Sequence, residues 1–453
     1  MTKVSFCGIS GSGMSALAQV LKAKGFDVSG SDRSFDQGKD GLSKKALEDI
    51  GVHIFAQDGS SIKPDTDFLY VSTAVEETIP DVKKALELGI TIKKRSDLLA
   101  EIFNSYPKSV AVGGTSGKTT LTAMIGYILD TLGQKPLIIN GGLLKNYIEQ
   151  KGIPNVILND GDICVAEADE SDGSIEKYKA YIGVVNNITL DHKSIEELQK
   201  IFDDFIKKSK FGIVNLDCAH SKVLLQNENV KTFSITNQAA DVFIHNIKPL
   251  KDGLSYTLRG KTFRLNLIGA FNASNAAAAI LACEILGIDA FEAAKALEGF
   301  LGTKRRLDLI GQKGGITVID DFAHNPDKVK ASVSALRDYA GRLIIMFQPH
   351  GFSPMRLMGR QIIDSFAATF QKDDILLMPE IFYAGGSVNK DISSKDLIDY
   401  ALSLGLNALF FDTRDEVRQY ILKEAKQGDR IVIMGARDNT LPDFCRDILE
   451  GLK

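Results

Sequence analysis

Cysteine is scarce in this 453-residue chain, and the few that occur stand far apart. The five, Cys7, Cys164, Cys218, Cys283 and Cys445, include no C-x-x-C pair. That excludes a disulfide framework and a sequence-local zinc site, and it suits reduced thiols. Positive charge is not in excess. The formal net charge is −4, so no global basic field draws the chain to nucleic acid or an anionic membrane. Long apolar runs are missing. The most apolar helical stretch, 276–286, carries Glu284 and is too short to span a bilayer. No basic-then-apolar leader precedes the first strand-like run at 4–7, and no short repeat or low-complexity tract occurs. The expectation is a cytoplasmic protein with no membrane insertion and no nucleic-acid partner.

What is present is globular. Hydrophobic residues make up 44% and charged residues 25%, and the length calls for two or three domains. Strand-like and helix-like patterns alternate from end to end, which predicts parallel sheets with helices on their faces, an α/β fold. Punctuation near Pro107 and in 299–303 divides the chain into 1–105, 106–302 and 303–453.

The most informative stretch is Val110-Ala-Val-Gly-Gly114-Thr-Ser-Gly-Lys118-Thr-Thr120. An apolar β-type run stops at glycines, and a helical pattern begins after Lys118. Such a loop turns backbone N–H groups into one concavity at a helix N-terminus, and polyphosphate is the natural guest. Gly114, Thr115, Ser116, Gly117, Lys118, Thr119 and Thr120 form the candidate ATP loop. Lys118 would reach the β/γ-phosphates and the Thr119 hydroxyl would bind Mg²⁺. The usual first glycine is replaced by Val112, so this is a variant P-loop.

A second glycine loop, Gly8-Ile9-Ser10-Gly11-Ser12-Gly13-Met14, also follows a strand and opens a helix. It predicts a diphosphate-bearing ligand. Asp32 ends the next strand, placed to contact a ribose or base edge. Three further strand ends carry chemistry. Residues 163–174 deliver Glu167, Asp169 and Glu170. Glu167 is preferred as the Mg²⁺ carboxylate, because phosphoryl transfer needs the metal held against the phosphates. Asn186-Asn-Ile-Thr-Leu-Asp191-His192 offers an imidazole for metal or phosphoryl oxygen. Asp320-Asp321-Phe-Ala-His324-Asn325-Pro326 offers acids for a ribose, and His324 and Asn325 to position a substrate.

In this order the motifs resemble the Mur ligase family over nearly the whole chain. Asn140-Gly-Gly142, Asn272–Asn275, Lys304-Arg-Arg306 and Phe347-Gln-Pro-His350 complete the set. The resemblance implies a Rossmann-like N-terminal domain for a UDP-sugar, a P-loop ATPase-like central domain and a Rossmann-like C-terminal domain. The last would bind the amine and close over ATP. It implies Glu167 and His192 on metal with Thr119, Asn272 and Asn275 near the nucleotide, and Arg306 with Asp320 or Asp321 as further ATP contacts. Lys118, Glu167, His192, Arg306 and His324 form the catalytic set. Ser72 and Thr73 join the sugar-nucleotide set, and His350 joins the amine set. The implied substrates are UDP-N-acetylmuramate and an amino acid or peptide, with ATP and Mg²⁺ as cofactors and an acyl phosphate as intermediate. Within the family the alanine-adding members are most similar. They usually carry His where Ser116 stands, Met where Lys193 stands, and Gly-His-His-Pro-Thr where this chain has Ala323-His-Asn-Pro-Asp327. These differences fall on the amine side. A peptide-recycling ligase, a catalytically degenerate nucleotide sensor and a dinucleotide-dependent oxidoreductase are the competing readings.

Overall fold

The computed structural model describes residues 1–72, 75–170, 173–190, 193–383 and 389–453. Three sheets organise it. The first has five parallel strands in the order His53–Phe55, Asp27–Ser31, Lys3–Cys7, Phe68–Val71, Thr91–Lys94. Strand order reverses between Lys3–Cys7 and Phe68–Val71, and the crevice beyond the carboxyl ends of such a pair is where an open α/β sheet binds ligands.

The second sheet has ten strands. At its centre Lys108–Gly113 runs parallel to Ile182–Val185 on one side and Ile163–Glu167 on the other. All the residues of these three strands except Lys108 and Glu167 are buried, as fits parallel strands covered on both faces. The third sheet has six strands. Its order is Asp308–Lys313, Ile316–Asp321, Arg430–Met434, Leu343–Phe347, Ile375–Pro379, Ala408–Phe411, with only the first pair antiparallel.

Compactness divides the chain into two units. The first holds 1–247, 255–266 and 272–303; the second holds 248–254, 267–271 and 304–453. The first sheet and nearly all of the second, expected in separate domains 1–105 and 106–302, thus lie in one compact unit, while 248–250 and 253–254 at the ends of two strands of the second sheet fall in the other. The second unit is stitched together from three stretches of chain. Within it Tyr339 Oη donates to the Gly253 carbonyl at 2.8 Å. The 299–303 stretch, read as a linker, is tied down in the first unit. Asn146 donates to the Gly299 carbonyl and accepts from Leu301 N, both at 2.9 Å, and Phe300 is fully buried.

The helices Arg33–Asp36, Arg95–Asn104 and Ala290–Leu297 have no counterpart in the sequence reading. Arg95–Asn104 starts directly where the strand Thr91–Lys94 ends, with no turn residue between them, and Asp97 caps it by accepting from Lys94 N at 3.3 Å. Among the described residues no helix is long and apolar enough to cross a membrane.

Candidate active site

The first glycine loop sits at the strand-order reversal. Gly8 N and Ile9 N both donate to the Ser31 carbonyl, at 2.9 and 3.1 Å. Ser10 N donates to Asp32 Oδ2 at 2.9 Å. Asp32 therefore does something other than expected: it fastens this loop. Its Oδ1 also caps the next short helix, accepting from Ser34 N at 2.9 Å and Ser34 Oγ at 2.6 Å. Ile9 and Met14 differ too. Their side chains are 0% and 1% exposed in the core, so either offers a ligand only its backbone. Gly11 and Ser12 are exposed. The Gly11 carbonyl accepts from Met14 N at 2.9 Å and Ser15 N at 2.8 Å, and no side chain caps the start of the helix Ser12–Ala23. Ser72 N donates to the Cys7 carbonyl at 3.4 Å, beside Gly8; Thr73 lies outside the described residues. Sequence reasoning does not single out Arg95, because no local pattern marks it. Its Nη1 lies 3.0 Å from where a Cβ on Gly13 would stand. That puts a cation over the loop.

The second loop is braced by asparagines. Asn187 Oδ1 accepts from Ser116 N at 2.9 Å and from Thr115 Oγ1 at 2.8 Å. Asn186 Nδ2 donates to the Ser116 carbonyl at 3.0 Å and to Asn275 Oδ1 at 2.9 Å, and Asn275 donates to Asn272 at 3.1 Å. Asn272 and Asn275 are 3% and 2% exposed, so they hold the loop from behind. Asn186 and Asn187 were visible as a strand end, but their partners are 70 or more residues away.

Gly117, at φ 82°, turns the chain into the helix Lys118–Thr131. Lys118 Nζ lies 2.7 Å from Glu170 Oε2, with both side chains largely buried. Thr119 Oγ1 donates to Glu167 Oε2 at 3.2 Å, and Glu167 Oε1 accepts from Gly141 N at 2.5 Å. A lysine, a hydroxyl and two carboxylates thus meet at the carboxyl end of the central sheet. Among the described residues no cluster of three or more His, Cys, Asp or Glu side chains could hold a metal alone. The Thr119 and Glu167 oxygens still fit Mg²⁺, which takes one or two protein oxygens and completes its shell with water and phosphate. His192 lies outside the described residues.

In the second unit the expected ATP contacts Asp320 and Asp321 face inward. Asp320 is 0% exposed, its Oδ2 3.5 Å from Arg305 Nε, and burial pushes its carboxyl up to about 7 against the pull of that guanidinium. Asp321 accepts from Leu307 N at 3.1 Å and Ser332 Oγ at 2.5 Å, and burial raises it as well. Both hold the 304–308 segment to the sheet. Arg305 also donates to the Gly435 carbonyl at 2.6 Å. Arg305 and Arg306 flank the Phe322 ring, each 5.0 Å from its centroid. Arg306 is only partly buried.

His324 and His350 meet edge to face, ring centroids 5.6 Å apart. His324 Nδ1 lies 2.8 Å from the Phe322 carbonyl. A carbonyl only accepts, so Nδ1 carries the proton and Nε2 keeps its lone pair. Burial pushes His324 down to about 4 and lowers His350 too. Asn325 caps the helix Pro326–Leu336, accepting from Lys328 N at 2.9 Å.

Three family models match this chain. They are the Mur ligase family catalytic domain over 3–107, the Mur ligase middle domain over 112–283, and the Mur ligase glutamate ligase domain over 305–437. The UDP-N-acetylmuramate–L-alanine ligase of Syntrophomonas wolfei is 33% identical, covering 96% of this chain and 94% of its own. The chain belongs to the Mur ligase family. A second relative of the same name, from Streptomyces griseus, is 34% identical over 97% of this Mur ligase and 95% of its own length. In fold it resembles the UDP-N-acetylmuramate–alanine ligase of Thermotoga maritima, with TM-score 0.82, 23% identity and 99% of each chain covered. The murein peptide ligase of Psychrobacter arcticus follows at TM-score 0.69 and 22% identity, covering 100% of this chain and 98% of its own.

Proposed function

We propose that this Mur ligase joins L-alanine to the lactyl carboxylate of UDP-N-acetylmuramate and converts ATP to ADP and phosphate. The observation that carries the reading is the meeting of Lys118, Thr119 and Glu167 at the carboxyl edge of the central sheet. It occurs in a chain that matches alanine-adding relatives from end to end.

A carboxylate is a poor electrophile, and transfer of the γ-phosphoryl group gives it a leaving group. The carboxylate oxygen attacks phosphorus and ADP departs. The amine nitrogen then attacks the acyl carbon, phosphate leaves, and the nitrogen loses a proton. Lys118 exchanges Glu170 for phosphate oxygens and offsets the charge of two approaching anions. Thr119 and Glu167 would hold Mg²⁺, with His192 as a further ligand on its motif alone. When bound, the metal neutralises phosphate charge. The first loop takes the UDP moiety, with Arg95 added to the residues expected there. His324 is neutral at pH 7, so it orients the amine by accepting a hydrogen bond at Nε2. Arg306 remains the contact to ATP from the C-terminal portion, and 1–105, 106–302 and 303–453 remain the proposed domains.

The test is phosphate release by the full chain with ATP, Mg²⁺ and UDP-N-acetylmuramate, adding L-alanine, other amino acids or a tripeptide in turn. Release dependent on L-alanine is the expected result. Release with the tripeptide alone makes the chain a recycling ligase, and no amine-dependent release defeats the proposal.

A further inference from the structure

We propose that Asn155 is a positioning residue that keeps the first phosphate loop in register with the second. The inference rests on the reading above, in which one loop holds the sugar nucleotide and the other ATP. Asn155 is 1% exposed and its amide is fully engaged. Its Nδ2 donates to the Ser12 carbonyl at 2.6 Å and to Ser15 Oγ at 3.1 Å. Its Oδ1 accepts from Gln19 Nε2 at 3.1 Å. These three residues all lie on the helix Ser12–Ala23, which the first loop opens. Gln19, itself 2% exposed, grips the same segment again, accepting from Ile153 N at 2.8 Å.

The other side of Asn155 leads to the second loop. Its carbonyl accepts from Asn140 N at 2.9 Å. One residue on, Gly141 N donates to Glu167, and Glu167 accepts from Thr119. A short run of hydrogen bonds therefore joins the helix that carries one phosphate loop to the carboxylate and hydroxyl at the other. Every residue in it belongs to the first compact unit.

Apolar packing alone would let this helix slide or rotate by fractions of an ångström. Directional bonds from a buried amide to its first turn do not. The register matters because the lactyl oxygen and the γ-phosphorus belong to different ligands and react only when held about 3–3.5 Å apart in line. Binding of either ligand alone needs no such register. The bridge therefore acts on the chemical step and spares each separate affinity.

The experiment uses the full chain with Asn155→Asp and Ser15→Ala. The first keeps shape and the acceptor for Gln19 but removes both donors; the second removes the Ser15 hydroxyl, with its bonds to Asn155 and to the Ser12 carbonyl, and adds no charge. Phosphate release gives kcat and KM, calorimetry gives the Kd of UDP-N-acetylmuramate and of a non-hydrolysable ATP analogue separately, and thermal melts report folding. The expected result is a kcat lower by about 10- to 100-fold in Asn155→Asp and about 3- to 10-fold in Ser15→Ala, because misplacement by about 1 Å costs on the order of 100-fold. Each Kd stays within about threefold. If Asn155→Asp does not fold, Ser15→Ala decides. A lower melting temperature with unchanged kcat, or a loss confined to one Kd, overturns the proposal. An inactive wild type strikes down the ligase reading itself, and the inference with it.

Discussion

The helix Lys118–Thr131 has a left-handed glycine at each end, and the pair offers a controlled experiment on the proposed ATP loop. Gly117 precedes it at φ 82° and Gly133 follows it at φ 74°. Alanine at either position takes the same backbone penalty, about 1–2 kcal/mol for a side chain in the left-handed region. The surroundings differ. A Cβ on Gly133 meets nothing within 4 Å, whereas one on Gly117 stands 2.5 Å from Asn186 Nδ2 and 3.1 Å from Asn275 Oδ1. Asn186 must swing away, breaking its bonds to the Ser116 carbonyl and to Asn275. Each is worth about 1 kcal/mol net, more where a buried group is left unpaired. The extra cost at Gly117 is therefore about 2–4 kcal/mol, and the loop relieves it by moving. That amounts to roughly a 30- to 1,000-fold loss of ATP affinity at about 1.4 kcal/mol per tenfold. Calorimetry with an ATP analogue and thermal melts on Gly117→Ala and Gly133→Ala make the comparison. Both variants should melt a few degrees lower, and only Gly117→Ala should lose ATP. Wild-type ATP affinity in Gly117→Ala, or equal losses in the two, would refute the account of the asparagine brace.

Lys118→Ala should lower kcat by about 100-fold or more while the Kd for UDP-N-acetylmuramate stays within about threefold; steady-state kinetics with calorimetry check this, and near-normal turnover removes Lys118 from the ATP site. His324 should titrate by NMR near pH 4. Its folded value lies below the unfolded one of about 6.5, so the neutral form is favoured by folding. The chain then loses up to about 3 kcal/mol as pH falls from about 6.5 towards 4, and a midpoint above 6 contradicts the burial described. Asp320 has the opposite sign. Its folded value, about 7, exceeds the unfolded one, so stability falls as pH rises from about 4 to about 7. Asp320→Asn should therefore gain on the wild type at pH 8 relative to pH 5 in urea unfolding, and a pH-independent difference would count against it. The full chain should bind UDP-N-acetylmuramate and not a nicotinamide dinucleotide in calorimetry; binding of only the latter would reverse the assignment of the first loop.

Both glycine loops were legible because strand, glycines and helix start are neighbours in sequence, and their geometry follows from local backbone rules. The acidic residue at 32 was legible as important, but its task was not. Whether a carboxylate faces a ligand or its own loop depends on Ser10, 22 residues away. The consecutive acids Asp320 and Asp321 deceived for another reason. On a one-sided sheet one of two neighbours would face solvent, but Ile316–Asp321 is buried on both faces. Asp320 therefore meets Arg305 and Asp321 meets Ser332. The asparagine brace and Arg95 were out of reach because each gains its meaning from partners in distant segments. The helix Arg95–Asn104 was missed because nothing punctuates its start.

The second unit's three-stretch construction bears on any attempt to dissect or recombine this enzyme. A gene cut after residue 303 yields a fragment without 248–254 and 267–271, and Tyr339 loses the Gly253 carbonyl it binds. Such a fragment would expose the surface those segments cover and should be handled as an incomplete fold. During synthesis the two segments leave the ribosome well before most of the unit they complete. They stay without their partners until residues 304–453 arrive. A chimaera that exchanges the second unit between relatives therefore needs its junctions on both sides of 248–254 and 267–271 as well as at 303.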